Sequence, residues 1–199
     1  MISILKPGHA KIMHLFYLDK TAKLHVREIA RRTKLHLPST SSFLKELEKD
    51  SILKSEKDGN QKKFSLKYSN KTYLMFQFFD LQRSNTITNI RKNAISFFLD
   101  HLKEQPIIAL LFGSTAKNTY QEHSDIDLLI IVNKEINTQE AEKYADAQTA
   151  IKINCIQITI KEFKDELKLK KDNVIQSAIA TGYPIKNNLE YYKLCYERV

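Results

Sequence analysis

The sequence predicts an α+β fold in two parts joined by helices, and three observations lead there. Basic charge is concentrated at the start. The first 70 of the 199 residues hold 15 Lys and Arg against 7 Asp and Glu, so that only +1 of the formal net charge of +9 is left for the remainder. Helical periods in that stretch give way to a hairpin signal at Asp58-Gly59-Asn60. Further on, two apolar runs, 107–112 and 128–132, read as buried strands flanking a glycine turn and an acidic pair. The expected division is a basic module over 1–70, a helical connector over 71–104 and a strand-containing domain over 105–199.

Composition narrows the function classes. An apolar content of 42% suits a packed core, and a charged content of 28% with 4 Gly and 4 Pro suits regular elements joined by short connections. The opening MISILKPGHAKIMHLFYLDK is interrupted by Lys6, His9, Lys11 and His14, unlike a secretory leader. No apolar run approaches the ~18 residues of a membrane helix. Cys155 and Cys195 lie too far apart in sequence for a metal-binding pair and read as reduced, buried thiols. A cytoplasmic location without membrane contact is expected. The basic excess of the first third points to a polyanion, with nucleic acid foremost.

Within the first seventy residues, Ile12, Met13, Leu15, Phe16 and Leu18 set a helical period, followed by an extended stretch at 24–26. In VREIARRTKL, Val26, Ile29 and Ala30 share one face and Arg27, Arg31 and Arg32 the other. The next helix has Pro38 in its first turn, where a missing N–H costs nothing. Phe43, Leu44 and Leu47 form its buried stripe, with Ser41, Ser42, Lys45 and Lys49 opposite. ILKSEKDGNQKKFSLKY then forms the hairpin, since Gly and Asn accept positive φ. Lys57, Lys62 and Lys63 make its tip basic. This order, over about residues 8–68, resembles the winged helix-turn-helix of prokaryotic transcription regulators. The resemblance implies that the second helix of the pair enters the DNA major groove. Its groove-facing residues would be Ser39, Thr40, Ser42 and Lys45, while Lys62 and Lys63 in the wing would meet phosphates of double-stranded DNA.

The connector reads as helix, break, helix. KTYLMFQFFDLQR is apolar on nearly every side through Tyr73, Leu74, Met75, Phe76, Phe78, Phe79 and Leu81. Such a helix needs cover on more than one face, from the two domains or from a second copy in a homodimer. TNIRKNAISFFLDHLKE is amphipathic through Ile90, Ala94, Ile95, Phe98 and Leu102. Both helices read as structural.

The chemistry-bearing segment is IIALLFGSTAKNTYQEHSDIDLLIIV. One strand run ends at Gly113-Ser114, and ten residues later Asp125-Ile126-Asp127 opens the next. Strand alternation puts Asp125 and Asp127 on one face, with Ile126 opposite. Two carboxylates so placed resist joint ionisation unless a cation sits between them. Mg²⁺, or Mn²⁺, takes few carboxylates and keeps phosphate or water oxygens for the rest. Gly113 allows close approach of backbone to a phosphate, and Ser114 offers a hydroxyl.

The combination resembles the G-S-x10-D-x-D signature of the DNA polymerase β-like nucleotidyltransferases, especially their small, minimal prokaryotic members, over residues 88–199. That resemblance implies a C-terminal mixed sheet flanked by helices, a nucleoside triphosphate such as ATP as ligand, and transfer of a nucleotide to a hydroxyl. It assigns metal binding to Asp125 and Asp127 and nucleotide binding to Gly113, Ser114 and Lys117. The chain departs from the family twice. Lys117 stands where Arg is common and lacks its bidentate fork, and Asn118 stands where Gly is usual, as the non-Gly residue best suited to a left-handed conformation. On the next strand, alignment on Thr159–Phe163 puts Asn154 where active members carry a third carboxylate. Asn154, counted with Asp125 and Asp127 as the catalytic set, cannot act as a base. Glu162, Asp165 and Glu166 read as capping and surface residues, His123 as an exposed loop histidine, and Tyr191 and Tyr192 as packing. The tail reads as a helix stopped at Gly182, an extended turn and a last helix from about Asn188. Three functions are open on these residues: a Mg²⁺-dependent nucleotidyltransferase, a nucleotide-sensing transcription regulator of weak or no activity, and an antitoxin-like partner of a toxin.

Overall fold

The computed structural model describes residues 6–196. The chain divides into two compact units, the first ending at Phe79 and the second beginning at Asp80.

The first unit opens with α1 (Pro7–Leu18), whose Ile12, Met13 and Phe16 are fully buried. A two-residue strand, β1 (Leu24–His25), leads into α2 (Val26–Thr33), which ends at Lys34 in the left-handed region. α3 (Leu37–Lys49) follows, with Pro38 in its first turn and Leu44 and Leu47 buried against the neighbouring helices. β2 (Leu53–Asp58) and β3 (Gln61–Leu66) form the hairpin, and β1 completes an antiparallel sheet of order β1-β3-β2. Of the two loop residues, only Gly59 takes positive φ, at +57°, so one residue carries the reversal that the sequence assigned to two. Helix, strand, helix, helix and hairpin in this order make a winged helix-turn-helix.

The connector forms no body of its own. α4 (Asn70–Asn85) packs Tyr73, Phe76 and Phe79 into the first unit, with the Tyr17 ring 5.7 Å from Phe76 and 5.1 Å from Phe79. Leu74 and Leu81 on the same helix are 59% and 60% exposed, so it is covered less fully than its composition predicts. Its last turns belong to the second unit. There the buried Asp80 carboxylate accepts from the Tyr192 hydroxyl at 2.8 Å and from Asn188 Nδ2 at 2.9 Å.

The second unit also contains α5 (Asn89–His101), β4 (Ile108–Phe112), α6 (Gly113–Lys117), β5 (Ile126–Val132), α7 (Gln139–Thr149), β6 (Ile153–Thr159), α8 (Ile160–Leu169), α9 (Asn173–Thr181), β7 (Tyr183–Lys186) and α10 (Asn188–Tyr196). Its sheet has the order β6-β5-β4-β7 and is mixed. β4 runs antiparallel to β5 and β7, while β6 lies parallel to β5 after a crossover through α7. Ala94, Ile95 and Phe98 of α5 and Ala141 and Ala145 of α7 share a core with Leu111, Leu128 and Ile153 on one face. α8 contacts β5 and β6, α9 contacts β4, and α10 contacts β4 and β7. With both faces covered, every residue of β4 and all of β5 except Asp127 is buried.

The tail departs from the sequence reading in one respect. Residues 183–186 form a strand, β7, rather than an extended turn, and Pro184 is accommodated because β7 is an edge strand. Gly182 is not left-handed. A Cβ there would meet Ala178 O at 2.5 Å and Leu111 O at 2.8 Å, so close packing requires the glycine. Both cysteines are half-buried thiols outside any disulfide, and burial pushes the Cys155 thiol up to about 12, which keeps it unreactive. Among the described residues no helix is long and apolar enough to cross a membrane.

Candidate functional site

Three strands bring the acidic pair, the glycine turn and Asn154 to one end of the sheet. Phe112, the last residue of β4, pairs in register with Asp127, and Asp127 pairs on its other side with Asn154. Alternation puts Asp125 and Asp127 on the face opposite the fully buried Ile126. Asp125 is exposed just before β5, and Asp127 is half-buried within it. Gly113 follows Phe112 with φ of +68°, and a Cβ on it would collide with the Asp127 carboxylate. Glycine is therefore required twice, by backbone conformation and by the closeness of the acid. Ser114 is half-buried in the first turn of α6 and Lys117 is exposed at its end. Asn118 is left-handed, with φ of 56°, as its position in place of a usual glycine predicted.

Asn154 donates from Nδ2 to Asp127 Oδ1 at 3.1 Å. The residue singled out by the alignment on Thr159–Phe163 thus lies beside Asp127. The capping box on which it turned is present, with Thr159 and Glu162 exchanging bonds at the start of α8. Those bonds also hold the Glu162 carboxyl below its ordinary range. Glu166, expected on the surface, is buried and receives Asp172 N at 3.0 Å and Gln176 Nε2 at 2.6 Å. Gln157 bonds the backbone of Ile136 through both ends of its amide and stands away from the acids. His123 is exposed in the loop.

Two arginines that the sequence reading passed over hold the surrounding backbone. Arg91 is 2% exposed. It donates to Thr115 Oγ1 at 3.0 Å and to the carbonyls of Gln121, Ser124 and Glu122 at 3.0, 2.7 and 3.4 Å. Its guanidinium lies 4.1 Å from the centre of the Tyr120 ring. Burial lowers its pKa from the ordinary arginine value, opposed by the fields of Tyr120 and Asp125. The buried stripe of α5 runs through Arg91, Ala94, Ile95 and Phe98, whereas Ile90, read as part of it, is 51% exposed. A phase shift of one residue hid the arginine. Arg83 donates to the carbonyls of Ala116 at 3.0 Å and Thr181 at 2.8 Å, satisfying the ends of α6 and α9.

In the first unit, Ser39, Ser42 and Lys45 are exposed along one side of α3, together with Lys49. Thr40 is not among them. It is fully buried, and its hydroxyl donates to His36 O at 3.0 Å, so it cannot face a groove. The wing lysines are engaged within the unit. Lys62 pairs with Glu48 at 2.8 Å and Lys63 with Asp58 at 2.5 Å, and each acid is held below its usual range by its lysine. Glu48 also accepts from Ser55. Lys57 and Lys62 are register partners across the hairpin.

Residues 92–182 match the family model described as Polymerase beta, Nucleotidyltransferase. The chain thus combines a nucleotidyltransferase-family domain with a winged-helix fold. No curated protein matches it in sequence. Solved structures similar to it include the homodimeric winged helix-turn-helix DNA-binding domain Mb0332 from Mycobacterium bovis, with 14% identity, 42% of this chain and 73% of that one covered, and a TM-score of 0.34. AF1382 from Archaeoglobus fulgidus has 14% identity, 43% and 94% coverage and a TM-score of 0.38. ZitR from Lactococcus lactis, a zinc-responsive MarR family member, has 17% identity, 50% and 75% coverage and a TM-score of 0.32. At these scores the winged-helix assignment rests on the topology of the unit itself.

Proposed function

We propose that the second unit binds a nucleoside triphosphate, ATP in the first instance, as its Mg²⁺ or Mn²⁺ complex, with nucleotide transfer slow or absent, and that the first unit binds double-stranded DNA. The observation that carries this reading is the convergence of Gly113, Asp127 and Asn154 at one sheet end, with an amide in place of a third acid. The donor set fits one magnesium ion. Asp125 and Asp127 would hold it, leaving its other positions to phosphate and water oxygens. Among the described residues no group of three or more His, Cys, Asp or Glu is placed to hold a metal ion. When bound, the ion would neutralise phosphate charge and polarise the bond to be broken.

The chain's own residues divide the remaining work. The backbone at Gly113 admits a phosphate closely, the Ser114 hydroxyl donates to it, and Lys117 adds charge without a bidentate grip. Asn154 keeps Asp127 in place but cannot take a proton from an attacking hydroxyl. Such a site holds nucleotide better than it turns it over, which suits a sensor coupled to a DNA-binding module. In that module Ser39, Ser42 and Lys45 on α3 would meet the major groove, and Lys62 and Lys63 the phosphates. Titration calorimetry with ATP tests the nucleotide half. Binding should require Mg²⁺ and vanish in the Asp125→Ala, Asp127→Ala double variant, and equal binding by that variant would overturn the assignment.

A further inference from the structure

We infer that Arg91 is a positioning residue of the candidate nucleotide site, holding the Gly113-Ser114 turn and the segment that delivers Asp125 at a fixed separation. This deepens the functional reading above and rests on it. A charged side chain on the buried stripe of α5 is costly unless its donors are met, because a guanidinium taken out of water loses its hydration. No carboxylate pairs with Arg91 among the described residues. Its partners are one hydroxyl and three carbonyls, and they come from two places. Thr115, 1% exposed, is the residue after Ser114 in α6. Gln121, Glu122 and Ser124 lie in the second half of the irregular segment that ends at Asp125.

Other bonds hold the start of that segment, with Asn118 N donating to Thr115 O and Thr88 N to the Tyr120 hydroxyl. Within it, Gln121 and Ser124 exchange a pair of bonds, Gln121 N to Ser124 Oγ at 2.9 Å and Ser124 N to Gln121 O at 3.0 Å. Thr119 N also donates to Ser114 O at 3.0 Å at the near end of the segment, and Arg91 adds the side-chain link from Thr115 to its far end, next to Asp125. The shortest of its bonds, 2.7 Å to the Ser124 carbonyl, falls one residue before Asp125. Tyr120 lies against the guanidinium face and leaves its edges for the acceptors. The bonds from Nη1 and Nη2 to these partners all go to neutral oxygens, so none of them ties up the Asp125 carboxylate. A fixed planar fork suits several acceptors at once, which an ammonium on a flexible stem does not.

The test compares wild type with Arg91→Lys and Thr115→Val in the full chain. The readouts are Mg²⁺-dependent ATP binding by calorimetry, amide hydrogen exchange over residues 119–125, and thermal melting. Arg91→Lys should weaken ATP binding at least tenfold at a temperature where circular dichroism shows it folded, and exchange over 119–125 should accelerate. Thr115→Val, which removes one acceptor and keeps the arginine, should weaken binding by a smaller factor. It carries the test if Arg91→Lys does not fold. Variants that bind metal-ATP as wild type does, with unchanged loop exchange, overturn the role of Arg91 alone. A wild-type chain that binds no metal-ATP overturns the functional reading, and this role with it.

Discussion

Asn154 and Asp127 are register partners across the parallel pair β5–β6, and the amide of the first donates to the carboxylate of the second at 3.1 Å. The geometry assigns the amide a holding role. Replacing it should therefore expose what the site lacks. Asn154→Asp is expected to tighten Mg²⁺ binding and to raise nucleotide transfer, by the ~10²–10⁴-fold that a positioned base contributes. Radiolabelled nucleotide with Mg²⁺ or Mn²⁺ measures this directly. Rapid transfer by wild type, unimproved by the substitution, would sink the sensing interpretation and leave an enzyme that works with two carboxylates.

Gly113→Ala should be the most damaging small substitution in the second unit. It combines a positive φ with a collision against Asp127. The strained backbone alone costs about 1–3 kcal/mol, and moving the carboxylate should abolish metal-dependent ATP binding. Chemical denaturation and calorimetry together check this. A variant of wild-type stability that still binds would remove the turn from the site.

On α3, two neighbouring hydroxyls should behave differently. Thr40→Val deletes the buried bond to His36 O and is expected to cost about 1 kcal/mol of stability without changing the affinity of the folded protein for DNA. Ser42→Ala, on the exposed side, should leave melting unchanged and weaken DNA binding. Fluorescence anisotropy on a DNA duplex, with melting curves, separates the two, and the reverse pattern would show that α3 presents another face.

The wing makes a further prediction about salt. Lys62 is held by Glu48 in the free protein, so DNA phosphates must compete with an internal acid. Glu48→Gln should raise DNA affinity several-fold and steepen the salt dependence by up to about one phosphate contact, and Lys62→Ala should do the opposite for every sequence alike. Identical salt slopes for wild type and both variants would place the wing outside the interface.

Much of this architecture was legible because strands and helices impose different periods. The runs around Gly113 and Asp127, the hairpin at Gly59 and the cap at Thr159 each had a local cause that the structure repeats. The failures share another origin. On a helix one residue is a rotation of 100°, so reading the stripe of α5 through Ile90 instead of Arg91, or the groove face of α3 through Thr40, needed an error of only one position. β7 was missed because YPIK is short and contains proline. Its pairing with β4 comes from tertiary context that no local pattern carries.

The bond from Asn154 to Asp127 also bears on how the domain stands when no ligand is present. Three carboxylates at one sheet end would repel one another in the empty state and would draw part of their folding stability from a cation. An amide in the third place is neutral and donates, so it calms the end of the sheet by itself. Chelators should then leave the melting temperature of this chain almost untouched. Under the proposed function, the domain would then be folded before its nucleotide arrives, and any response to the nucleotide would start from a stable scaffold rather than from folding.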